Sequence, residues 1–63
     1  MKELIGKGPN KVAAYMHKAG YLLYDCAGVE NGYEAEYYKT AAGITISKVV
    51  ITFSESWKVT NIA

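Results

Sequence analysis

Apolar residues recur at helical spacing in one stretch of the chain. Within residues 9–20, Val12, Tyr15, Met16 and Ala19 fall at i, i+3, i+4 and i+7, which puts them on one stripe of an α-helix. Lys11, Ala14, His17 and Lys18 take the other side. Pro9 suits a first helical turn, where its missing N–H would have no intrahelical acceptor. Asn10 is the competing start signal, as an N-cap. Gly20 fits the position just past the end, and Lys18 complements the negative end of the helix dipole.

Downstream the pattern turns to β. Residues 21–26 read as a strand, apolar on both faces as far as Tyr24, and that two-sidedness predicts a central place in the sheet. Residues 27–32, with Asn31 and Gly32 near the end, carry the strongest turn signal. Residues 33–40 form a second strand with unlike faces: Tyr33, Ala35 and Tyr37 on one side, Glu34, Glu36 and Tyr38 on the other.

Ala41, Ala42 and Gly43 make the next connection, and residues 44–53 are the longest β-like run. Ile44 and Ile46 have one parity, Val49, Ile51 and Phe53 the opposite. A period of two cannot change parity without a break, so a bulge is expected near Ser47 and Lys48. Residues 54–56 read as a turn and residues 57–62 as a short last strand, in which Val59 and Ile62 again disagree in parity. Ahead of the helix, Leu4 and Ile5 either add strand or lie over the core, and Gly6, Lys7 and Gly8 end regular structure there.

The order predicts a single α+β domain over residues 1–63: one N-terminal helix packed on a three- to four-stranded antiparallel sheet, an α-β-β-β meander. The connections are too short for parallel crossovers.

Length sharpens this picture. A chain of 63 residues buries only about 60% of its unfolded surface, and small scaffolds compensate with disulfides, a metal or association. Cys26 is the only cysteine and His17 the only histidine, so neither an internal disulfide nor a metal-ligand set is expected, and no cofactor. Tight packing or self-association remains. Hydrophobic residues make up 51% of the chain, enough for a core and against disorder.

The formal charge of +1 marks neither a polyanion binder nor an acidic mimic. Lysines 2, 7, 11 and 18 lie early, Asp25, Glu30, Glu34 and Glu36 in the middle, and there is no Arg, which removes bidentate phosphate or guanine recognition. No apolar run approaches the ~20 residues of a membrane span, and the N-terminus lacks a signal-peptide core. With one unpaired cysteine, the expected compartment is the cytoplasm.

Four features invite chemistry. His17 and Cys26 are formally a base and a nucleophile, but nothing in sequence orients them; an exposed helix histidine and a small buried hydrophobe are the favoured reading. Glu34 and Glu36 share a strand face, yet paired carboxylates need a cleft to act on a glycoside, so a solvated or edge-protecting face is favoured. Gly6, Lys7 and Gly8 before a helix lack the spacing of a phosphate loop.

The six tyrosines are the most suggestive feature. Tyrosine supplies contact area at low entropy cost and places its hydroxyl at a wet boundary. One short helix covers one sheet face only, so the remaining apolar surface calls for a terminal segment, a second copy or a partner.

The functional expectation is a non-enzymatic protein-interaction module, a small regulator or inhibitor acting by surface occupation. Its partner-binding residues are expected to be Tyr33, Glu34, Glu36, Tyr37 and Tyr38, and its state a homodimer. Products of this size class are typical of phages and mobile elements. The alternative is a single-stranded nucleic-acid binder using tyrosines with Lys39 and Lys48, which the carboxylates of Glu34 and Glu36 oppose.

Overall fold

Proline decides where the helix begins. A computed structural model covers residues 1–63, and in it Pro9 is the first residue of α1 (Pro9–Lys18), with Gly8 as an extended N-cap and Asn10 inside the helix. The other end closes as a Schellman motif: Gly20 N–H donates to His17 O at 3.0 Å and Tyr21 N–H to Met16 O at 2.8 Å, with Gly20 at φ 89°. Val12 and Met16 are fully buried, and Tyr15 packs beside them.

Four strands follow: β1 (Leu22–Val29), β2 (Gly32–Ala41), β3 (Ile44–Ser54) and β4 (Val59–Ile62). They pair in the order β1-β2-β3-β4, every neighbour antiparallel. The fold is thus the expected α+β meander with its N-terminal helix on one face. Ala35, Tyr37, Val49, Ile51, Phe53 and Val59 meet Val12 and Met16 in the core, and Leu4 joins them from a 3-10 turn at Lys2–Leu4.

The expectation of a central first strand is overturned. β1 is an edge strand, paired with β2 alone, and all eight of its residues are exposed. A helix about 10 Å across spans roughly two strands spaced ~4.8 Å apart, and the core shows α1 over β2 and β3. An apolar run reads the same whether its two faces are covered or left open. The strand is also longer than residues 21–26, running to Val29 before a two-residue turn at Glu30 and Asn31.

Every ladder carries one bulge, and the bulges account for the parity changes. Tyr24 is the extra residue between Leu23 and Asp25 on β1. Lys39 pairs with Ser47 and Thr40 with Thr45, which makes Ile46 the extra residue on β3, just ahead of the expected place. Thr52 pairs with Asn61 and Phe53 with Val59, so Thr60 is extra on β4 and lets Val59 and Ile62 share a face.

Three turns hold non-glycine residues in the left-handed region, the first with Asn31 at φ 66° between β1 and β2. Ala42 and Gly43, at φ 53° and 77°, form a type I′ turn between the paired Ala41 and Ile44, the turn whose twist matches a hairpin. Alanine there costs about 1 kcal/mol. Ala42→Asn is therefore expected to raise the thermal midpoint by about 4 °C, a gain of about 0.5–1 kcal/mol; a lower midpoint in a calorimetric scan would contradict the turn type.

Trp57 sits at φ 62° in the turn from Ser54 to Lys58, whose ends are joined by Ser54 N–H donating to Lys58 O at 2.8 Å. Its ring lies flat on Tyr33, 3.7 Å between centroids and 10° apart in plane, which offsets the backbone strain. Trp57 and Lys58 thus belong to the turn, and the last strand begins at Val59.

Candidate functional site

The side of the sheet away from α1 is assembled by register. Leu22 lies opposite Tyr38 and Asp25 opposite Glu36 across β1 and β2; Tyr38 lies opposite Lys48 and Glu36 opposite Val50 across β2 and β3. The bulge at Tyr24 turns its ring edge-on to Tyr38, 5.2 Å between centroids at 84°. Leu22 and Tyr24 remain 67% and 73% exposed, an aromatic and aliphatic platform that nothing in the chain covers. With Leu23, Tyr38, Thr40 and Thr45 they line an open depression of about 550 Å³. Ile44, opposite Ala41 and so on the α1 side, and the bulged Ile46 are also exposed, near the tip of the β2–β3 hairpin.

Polar contacts fix the rim of this platform. Tyr38 O–H donates to Glu36 Oε2 at 2.6 Å, and Lys48 Nζ reaches the same oxygen at 3.1 Å while lying 5.8 Å from the Tyr38 ring centroid. The tyrosine hydrogen bond, with Lys48 second, lowers the Glu36 carboxyl below its ordinary value. The same contacts raise Tyr38 and Lys48 above theirs, each chiefly through its hydrogen bond with Glu36.

A lowered carboxylate contributes stability above its unfolded pKa and loses it as pH falls through the folded one; the raised phenol and ammonium lose theirs as pH rises through their folded values. Tyr38→Phe is expected to move the Glu36 titration upward toward the ordinary range and to shallow the acid limb of the stability profile. Carboxyl NMR titration reads this directly, and an unmoved Glu36 would show that the hydrogen bond does not form.

The α1 side carries a different set. Tyr37 is 6% exposed, in the core, where burial pushes its phenol up, with Cys26 a second cause. Tyr33 is half-buried beneath Trp57. Tyr21 shares a 2.7 Å hydrogen bond with Ser47, and Lys39 lies 5.7 Å from its ring centroid. Of the residues expected to bind a partner, Glu34, Glu36 and Tyr38 therefore share the open face, whereas Tyr33 and Tyr37 lie on the helix side.

Sequence alone did not bring Leu22, Tyr24, Thr45 and Lys48 together, because their meeting depends on register and on a bulge. Cys26 is exposed rather than a small buried hydrophobe, since the edge strand has no cover. His17 is an exposed helix residue, as expected.

No protein-family model, curated protein or solved structure matches the chain. Its own geometry offers an open aromatic platform with a charge pair at the rim. No three His, Cys, Asp or Glu side chains converge where a metal ion could sit, and no helix is long and apolar enough to cross a membrane.

Proposed function

We propose that the chain is a non-enzymatic protein-interaction module, a cytoplasmic regulator or inhibitor of the kind phages and mobile elements make, acting by occupying a partner's surface. The observation that carries this is the uncovered platform of Leu22, Tyr24 and Tyr38. Apolar side chains left this exposed on a small sheet, with a polar rim already ordered, match the anatomy of a contact surface whose energy concentrates in aromatic anchors.

The arrangement favours protein over nucleic acid as the partner. Lys39 and Lys48 stand on opposite faces, and Lys48 is paired with Glu36, so the open face presents no free cation beside its edge-on tyrosine rings.

Affinity capture from the native host tests the proposal, followed by titration of the recovered protein. Truncating an anchor of this kind costs about 2 kcal/mol or more, roughly 30-fold in affinity. Tyr38→Ala is expected to lose the partner by that factor, and Lys18→Ala, on the exposed side of α1, to keep it. Equal retention by both variants would overturn the platform as the binding surface.

A further inference from the structure

The two edges of the sheet are treated differently. β4 is four residues long, and the N-terminal segment is stitched to it: Gly6 N–H donates to Val59 O at 2.8 Å, and Val59 N–H to Lys7 O at 2.9 Å. β1 is eight residues long, exposed at each one, and has nothing beyond it. Sheet edges in proteins that stay apart are shortened, covered, bulged, or armed with charge or Pro; the single bulge of β1, at Tyr24, leaves Asp25–Val29 regular. β1 holds neither Lys nor Pro, and its one charge, Asp25, is folded back to accept the Cys26 N–H at 2.9 Å.

We infer that β1 pairs antiparallel with β1 of a second copy, joining two four-stranded sheets into one of eight strands across a two-fold axis. Three observations select a second copy over a foreign strand. The net charge of +1 sets up almost no repulsion between copies. The fold buries only nine hydrophobic residues while leaving eight large ones exposed, the balance of a small domain that gains by association. The strand is also compatible with itself. Residues opposite one another must share a face; with Tyr24 again the extra residue, as it is against β2, a register centred on Cys26 sets Asp25 against Ala27, Leu23 against Gly28 and Leu22 against Val29 of the second copy. Centring on Asp25 would instead oppose two carboxylates, and centring on Ala27 would shorten the pairing.

This contact uses the backbone edge of β1 and stands apart from the Tyr38 platform. It adds one strand pair, less than the roughly 800 Å² per partner of a standard interface, so its affinity belongs in the micromolar range.

Sedimentation across a concentration series under reducing conditions is the test, with hydrogen exchange on the same samples. The expected result is a monomer–dimer equilibrium in which the β1 amides gain protection as concentration rises. Cys26→Lys, which sets two ammonium groups opposite each other on the axis, is expected to stay monomeric with an unchanged circular dichroism spectrum. Asp25→Ala frees the Cys26 N–H and is expected to tighten the dimer several-fold. A chain that remains monomeric to near-millimolar concentration overturns the inference and leaves the edge to a strand of another protein. A dimer that survives in Cys26→Lys, or forms without protecting β1, overturns it as well. Partner capture by a monomeric Cys26→Lys chain would show the platform working without the edge contact, so the two proposals fail separately.

Discussion

Gly32→Ala is expected to melt about 12–24 °C below the parent chain, a loss of about 3 kcal/mol at the upper end of overpacking costs. A Cβ built on Gly32 would stand 1.9 Å from the carbonyl oxygen of Phe53. That oxygen is main chain, held in the ladder where Gly32 pairs with Ser54 and Tyr33 with Phe53, so it has no rotamer to yield. The β2–β3 pairing would have to open at the end where Tyr33, Phe53 and Trp57 pack together. Gly28→Ala is the control: nothing lies within 4 Å of its Cβ, and a change within about 0.5 kcal/mol is expected. Equal losses from the two substitutions, in thermal scans, would show that the close approach to Phe53 is not what matters.

Ile51→Ala is expected to cost about 2–5 kcal/mol, the range for emptying a buried aliphatic site. Ile51 is fully buried at the middle of the core, with Ala35 opposite it on β2 and Ile62 on β4. Small domains have net stabilities near the lower end of about 5–15 kcal/mol, so this one truncation removes much of the margin. Val50→Ala, on the other face and only half-buried, is expected to cost about 1 kcal/mol or less. Urea midpoints of the pair decide the facing of β3: a larger loss at Val50 would mean the strand is turned over, and with it the assignment of the open face.

The sequence carried most of the fold because the fold is local. The stripe through Val12, Tyr15, Met16 and Ala19 marked the helix face, Pro9 and Gly20 marked its limits, and the parity change after Ile46 announced a bulge at nearly the right place, whereas the one between Val59 and Ile62 showed a mismatch without naming its cause. What it concealed depends on neighbours distant in sequence. Leu22, Leu23 and Tyr24 look like a strand enclosed on both sides, and only the width of one helix against four strands leaves them outside. Trp57 gave no sign of a left-handed backbone, because the compensation comes from Tyr33 more than twenty positions earlier. The candidate surface was half legible: Glu36 and Tyr38 share a face by simple alternation, while Tyr24 and Lys48 arrive there through a bulge and a cross-strand pairing.

The stitching of Gly6 and Lys7 to Val59 also bears on how the chain reaches its fold. Each strand lies beside the next one in sequence, so every ladder can zip up from a short turn with little loop-closure entropy. The terminal seam is different: it joins residues separated by nearly the whole length of the chain and closes only once the hairpins exist. The last join to form is not the first to open: buried Leu4 and Val59 seal the seam, so local breathing of the native state starts at β1, exposed along its whole length.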